Sequence, residues 1–120
     1  MCPGGQVVAA ASEASGVVVN GMSMFKRDSG IANSALVVNV DSRDFGDGAL
    51  AGVEFQRRYE QLAYAAAGSS YYAPAQIWTA FEAQHSVPGM SGAAKLSSGT
   101  DGLQLDKVLP AYVTDTLREG

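Results

Sequence analysis

The run Ala35-Leu36-Val37-Val38-Asn39-Val40 is apolar at five of its six positions. Successive side chains of a strand point to opposite faces, so Leu36, Val38 and Val40 share one face while Ala35 and Val37 lie on the other. A segment that is greasy on both sides suits a strand covered on both faces, and such a strand needs neighbours. The rest of the chain offers few. Its 120 residues fall below the ~150 of an ordinary domain and leave room for one core at most.

Two other short β-branched runs, residues 6–10 (Gln6-Val7-Val8-Ala9-Ala10) and 16–20 (Gly16-Val17-Val18-Val19-Asn20), flank the polar stretch Ala11-Ser12-Glu13-Ala14-Ser15. They read as an antiparallel hairpin. Asn20-Gly21-Met22-Ser23 reads as a tight turn, and Lys26-Arg27-Asp28-Ser29-Gly30 as an exposed loop. After Val40 the period changes. Phe55, Tyr59, Leu62 and Ala66 recur at helical spacing, with Glu54 and Arg58 four apart, which predicts a helix over about 50–67 stopped by Gly68. Shorter helices are expected at about 76–84, carrying Ile77, Trp78 and Phe81, and at about 106–118, carrying Leu109, Tyr112, Val113 and Leu117. Residues 86–104, rich in Ser, Gly and Thr, read as a connector.

The fold class is therefore α+β: a small antiparallel sheet of about three strands (6–10, 16–20 and 34–40) with one long and two shorter helices, all of 1–120 forming a single segment. That sheet cannot bury its own faces. Unpaired edges and bare apolar faces are states that soluble monomers avoid, so the missing cover is expected from the rest of a larger protein.

Charged residues are 17% and the net charge is −4. Eight scattered Lys and Arg on an acidic background make no patch for a phosphate backbone, which argues against nucleic acid. No stretch approaches the ~20 apolar residues of a membrane span, and the start lacks the basic and apolar regions of a signal peptide. Cys2 is the only cysteine, which excludes an internal disulfide and a cysteine zinc site.

Gly46-Asp47-Gly48-Ala49-Leu50-Ala51 matches a loose dinucleotide fingerprint, but a working one follows a strand directly, and here Asp41-Ser42-Arg43-Asp44-Phe45 intervenes. It reads as a turn into a helix. Asp41, Asp44 and Asp47 lack the ligand spacing of a calcium loop and read as helix-entry residues, favourable against the dipole. His85, the only histidine, has no positioned partner in its local sequence, so no catalytic residue is assigned and no metal site is expected. Cys2 is followed by Pro3-Gly4-Gly5, a rigid and then a permissive backbone that turns the chain; a structural thiol is the simpler reading. Asn33 and Ser34 lead straight into the apolar run, where their side chains need partners.

The blocks Met1-Cys2-Pro3-Gly4-Gly5-x-Val7-Val8, Val18-x-Asn20-Gly21-Met22-Ser23, Arg27 with Ala32-Asn33-Ser34-Ala35-Leu36-Val37-Val38, Leu50-Ala51-Gly52-Val53-Glu54-Phe55-Gln56-Arg57, Ala73-Pro74-Ala75-Gln76 and Leu105-Asp106-Lys107-Val108-Leu109-Pro110-x-Tyr112-Val113 occur in series. In that order they resemble the C-terminal region of the FAD-dependent dehydrogenases also called NAD(FAD)-utilising dehydrogenases. The resemblance spans nearly the whole chain and is weakest from Gln84 to Leu103.

What the resemblance implies is a partial domain of a longer flavoprotein. The glycine-rich FAD-binding fold would lie upstream, and this segment would flank the flavin on the substrate side of an oxidoreductase, inactive when isolated. The flavin would then be approached by Cys2, Gly4, Gly5, Gly21, Met22 and Ser23, where glycine permits close backbone contact. Arg27 and Asn33 would anchor a polar or anionic substrate. An equal alternative is that these residues only lock the segment against the FAD-binding domain. FAD is the implied cofactor, NAD(P)H a candidate reductant, and the partners are the FAD-binding domain of the same protein and a small-molecule substrate. The location would be cytoplasmic, or plastid in a plant or alga. A reading from another class is a non-enzymatic binding or assembly module that recruits a partner through its strand edges.

Overall fold

A computed structural model describes residues 2–83 and 104–120. Four strands come first: β1 (Cys2–Pro3), β2 (Gly5–Ala9), β3 (Val19–Ser23) and β4 (Ala32–Asn33). Helices follow: α1 (Ser42–Phe45), α2 (Ala51–Ala66), α3 (Trp78–Glu82), a 3-10 turn at Leu105–Lys107 and α4 (Ala111–Glu119). The class is α+β with small antiparallel sheets, as the hydrophobic patterning predicts.

β2 and β3 form the hairpin, antiparallel from Gly5 opposite Ser23 to Ala9 opposite Val19. The second strand is displaced from the expected 16–20, and the expected turn at Asn20–Ser23 is part of it. The cause lies in the residues before it. Val17 is drawn out of the ladder to donate its N–H to the Glu60 carbonyl at 3.0 Å and to bury its side chain. It forms a core with Ala63 of α2 and Val108 after the 3-10 turn, flanked by Tyr64, Ala66 and Ala73. The small side chain of Ala63 lets the hairpin loop and the 3-10 turn approach one helix, so it is the buried position of α2, while Phe55 is half-buried and Leu62 exposed.

The strand expected at 34–40 does not form. Pairing ends at Asn33, and beyond it Leu36 is 67% and Val37 87% exposed. The reason is that β propensity measures how a residue fits a covered, pleated surface, and the described residues provide no such surface here.

α2 agrees with its periodicity to within a residue at each end. Its stop is a Schellman arrangement: Ser69 N–H donates to the Tyr64 carbonyl at 3.0 Å and Gly68 N–H to the Ala65 carbonyl at 3.1 Å, with Gly68 at φ 73°. Arg58 lies over the Tyr59 ring, 5.8 Å from its centroid, instead of pairing with Glu54. The expected helix at 76–84 is the single turn of α3. The one expected at 106–118 is split in two, because Pro110 lacks an N–H and is seated at the N-cap of α4. The expected connector over 86–104 lies outside the described residues apart from Gln104.

Hairpin and helix are also joined by charge. Arg57 holds Glu13 through a forked pair, with Nε to Oε2 at 2.8 Å and Nη2 to Oε1 at 2.8 Å. These hydrogen bonds hold the Glu13 carboxyl below its usual range. A depressed folded-state value stabilises the fold above the unfolded glutamate value of about 4.3, and the contribution disappears as pH falls through the folded value. The melting temperatures of wild type and Arg57→Ala are therefore expected to differ at pH 7 and to draw together as the pH falls through the depressed Glu13 value. A gap that stays constant across that range would separate Arg57 from Glu13.

Among the described residues no helix is long and apolar enough to cross a membrane.

Candidate functional site

Gly4 and Gly5 are buried, and they separate β1 from β2. At Gly4 the chain turns through φ 59°, and it packs directly against the backbone of Arg27, itself at φ 55°. Met24 N–H donates to the Gly4 carbonyl at 3.1 Å, and Arg27 N–H returns to the Met24 carbonyl at 3.0 Å. The loop after β3 is thereby folded back on the glycine turn. Gly5 N–H reaches the Ile31 carbonyl at 3.2 Å, which ties in the approach to β4.

β4 closes the arrangement. Asn33 lies opposite Cys2 and Ala32 opposite Pro3. The Asn33 side-chain amide donates to the Gln6 carbonyl at 3.0 Å and to that of Met22 at 3.4 Å, so it bridges both strands of the hairpin. It lies across Gly21, where a Cβ would meet Asn33 Oδ1 at 3.1 Å. Ser23 Oγ donates to the Pro3 carbonyl at 3.4 Å. The need for partners that the sequence sets at Asn33 is thus met within the chain.

All eight residues singled out from the sequence, Cys2, Gly4, Gly5, Gly21, Met22, Ser23, Arg27 and Asn33, belong to this one knot. Gly4 and Gly5 are buried in its interior, Asn33 is half-buried, and Gly21 is exposed beside the Asn33 amide. Met22, 52% exposed, Ser23 and Arg27 face outward. Arg27 makes no ion pair among the described residues. Sequence reasoning missed the apolar rim of Met24, Phe25 and Ile31, all exposed beside the knot. Their signal was an apolar pair next to Lys26-Arg27 in a stretch otherwise read as polar loop.

Other candidates carry less chemistry. A cleft of about 140 Å³ is lined by Ala9, Ala11, Val17, Val18, Val19, Tyr71 and Ala73, without a nucleophile or general base. Asp41 caps α1 in a capping box with Asp44, and the Arg43 guanidinium hydrogen-bonds Asp41 and holds its carboxyl below the usual range. Those aspartates serve the helix entry, as their spacing predicts. The glycines at 46 and 48 follow α1 and not a strand, so no phosphate cradle forms there. No group of three metal-ligating side chains occurs among the described residues. His85 lies outside them.

A family model described as FAD-dependent protein, C-terminal domain-like, matches residues 1–120. The chain belongs to that family. An uncharacterized protein of Clostridium beijerinckii is 45% identical over 122 residues, a match that takes in all of this chain and 23% of the relative. The chain therefore spans about a quarter of the length of the relative it matches, and FAD is the cofactor that the family as a whole implies. In this member of the FAD-dependent family the described residues do not form the cradle of a dinucleotide. The strand, glycine loop and helix that hold a dinucleotide are absent among them. The knot does offer an outward apolar sulfur side chain, a hydroxyl and a guanidinium without an ion pair among the described residues.

Proposed function

We propose that this chain is the flavin-flanking, substrate-side wall of an FAD-dependent oxidoreductase whose cofactor is held mainly by the rest of the polypeptide. The observation that carries this reading is the convergence of family-like blocks from residues 2–5, 20–23, 27 and 33 on a single knot. Flavin, when bound, supplies the hydride chemistry itself; the protein orients the reactants and excludes water.

Each part of the knot has a task in that scheme. Asn33 and the two glycine turns tie the backbone of β3 by hydrogen bonds and packing, and Met22 and Ser23 are presented from it. Met22 contributes a polarizable apolar surface suited to a flat ring. Arg27 is held at a left-handed φ by its packing on Gly4. A non-glycine residue kept there against its preference is a form of strain that recurs at ligand-binding sites. Its guanidinium presents a fixed donor fork to a carboxylate or similar anion on the substrate, and NAD(P)H is a candidate reductant of the same flavin. The rim of Met24, Phe25 and Ile31 would keep water from that anion's neighbourhood.

The test is Arg27→Ala in the full-length protein, with flavin reduction followed on a panel of donors that includes NADH and NADPH. A lost charge-assisted hydrogen bond of about 1.5–3 kcal/mol gives roughly a tenfold to hundredfold fall in kcat/KM, at unchanged flavin content. Unchanged turnover would remove Arg27 from the substrate site. The isolated chain is expected to be colourless and inactive.

A further inference from the structure

We propose that the anion taken by Arg27 is a monocarboxylate with an apolar body, an aryl- or branched alkyl-carboxylic acid, and that Met24, Phe25 and Ile31 select for that body. The proposal deepens the reading of the knot as a substrate-side wall and rests on it.

Backbone contacts gather these side chains at one place. Met24 N–H donates to the Gly4 carbonyl at 3.1 Å, Gly4 packs on the backbone of Arg27, and Gly5 N–H donates to the Ile31 carbonyl at 3.2 Å. Three separate points of the loop are thus held against the same glycine pair. Arg27 N–H also closes a four-residue turn on the Met24 carbonyl at 3.0 Å, with Phe25 and Lys26 at its corners. Such a turn keeps its two end residues within about 7 Å between Cα atoms, so Met24 and Arg27 are neighbours at its base. Met22 stands two residues before Met24 and on the same face of the extended chain.

The surface that results joins a charge to bare apolar area. Phe25 is 102% and Ile31 61% exposed, and Met22 and Met24 are exposed as well. A loop that only meets water carries Gly, Asn, Asp or Ser at its turns. Here the turn corner beside the guanidinium is a phenylalanine that packs on nothing. A polyol or sugar phosphate would set its hydroxyls against these side chains without partners, which costs affinity, whereas an acid with an apolar body satisfies both halves of the surface.

Charge narrows the class further. Lys26, Arg27 and Asp28 are exposed, and none of them forms an ion pair among the described residues. Two cations and one carboxylate leave a single net positive charge, which matches a monoanion and not a phosphate dianion or a dicarboxylate. The planar fork of a guanidinium fits a carboxylate through two parallel hydrogen bonds.

Calorimetric titration of the full-length, flavin-loaded protein with 3-phenylpropionate, acetate and inorganic phosphate tests this. 3-Phenylpropionate is expected to bind about 10-fold or more tightly than acetate, and phosphate no more tightly than acetate. Arg27→Ala should weaken 3-phenylpropionate by about 10-fold or more. The double variant Phe25→Ser, Ile31→Thr changes two exposed side chains; it should weaken 3-phenylpropionate by about 10-fold and leave acetate unchanged. Equal affinities for the three probes, or no binding of 3-phenylpropionate, would overturn the proposal. So would a 3-phenylpropionate affinity that the double variant leaves unmoved, the result expected if another part of the protein covers Phe25 and Ile31. The visible flavin band is a separate readout. A band that shifts with acetate and 3-phenylpropionate at equal affinity sinks this inference alone, and apolar-selective, Arg27-dependent binding that leaves the band unmoved sinks the proposed function alone.

Discussion

Gly4→Ala is expected to destabilise the protein by about 3 kcal/mol or more, whereas Gly30→Ala costs only about 1. Both glycines have positive φ, 59° at Gly4 and 78° at Gly30, so both substitutions place a side chain in the left-handed region. They differ in what surrounds them. A Cβ at Gly30 meets nothing within 4 Å, and the penalty there is the conformational one alone. A Cβ on Gly4 would lie 2.1 Å from the Arg27 carbonyl carbon and 2.3 Å from its Cα. Backbone atoms cannot swing aside as the tip of a side chain can, so the loop bearing Arg27 must lift off. The hydrogen bond from Met24 to the Gly4 carbonyl and the Gly5 bond to Ile31 are on either side of that contact and should be lost with it. Thermal melts of the two variants in the intact polypeptide check the comparison, and Gly4→Ala should also reproduce the turnover defect of Arg27→Ala. Equal melting temperatures for the two variants would mean that the packing of Gly4 on Arg27 does not hold the knot.

The features that were legible in the sequence are those set by nearby residues. α2 declares itself through the spacing of Phe55, Tyr59 and Ala66, and Gly68 supplies the left-handed residue that its stop requires. Both signals lie within one segment. The hairpin pairing was legible for the same reason, but its register was not. What shifted the second strand is the Val17 hydrogen bond to Glu60, a partner more than forty residues away. The run at 34–40 shows the converse. Its composition states that it wants cover on both faces, yet composition cannot create the partner, and among the described residues the run stays single.

The knot was legible only in part. Spacing identifies Gly4, Gly5 and Gly21 as permissive points and Asn33 as a polar residue in need of a partner. That Asn33 crosses Gly21 to reach Gln6 and Met22 is a tertiary fact that no local pattern contains. The positive φ of Arg27 is hidden for the same reason, because nothing in the identity of an arginine announces a left-handed backbone. One consequence bears on function. Because Gly21 and Gly4 are already faced by the chain's own atoms, the surface left to a ligand is that of Met22, Ser23 and Arg27.

Phe81→Ala is the second large effect, with an expected loss of about 3–5 kcal/mol. Phe81 is 4% exposed and lies at the junction of α3 and α4. Trp78 packs on it at 5.6 Å between ring centroids, and the Arg118 guanidinium sits 4.7 Å over its face. Arg118 Nε also donates to the Phe81 carbonyl at 3.1 Å, while its Nη atoms approach Asp106 at 3.8 Å and Asp115 at 3.7 Å. One ring therefore positions a cation that joins α3, the 3-10 turn and α4. Truncation to alanine leaves a cavity and strips the guanidinium of its platform, a cation–π contact of about 0.5–2 kcal/mol. Phe81→Leu keeps most of the apolar volume and loses only the ring, so it should cost roughly 1–2 kcal/mol. The measurement is amide exchange over Ala111–Glu119 in the intact polypeptide, which should accelerate strongly in Phe81→Ala and mildly in Phe81→Leu while α2 is unaffected. If α4 kept its protection in Phe81→Ala, the helix would have to be held by something other than this stack.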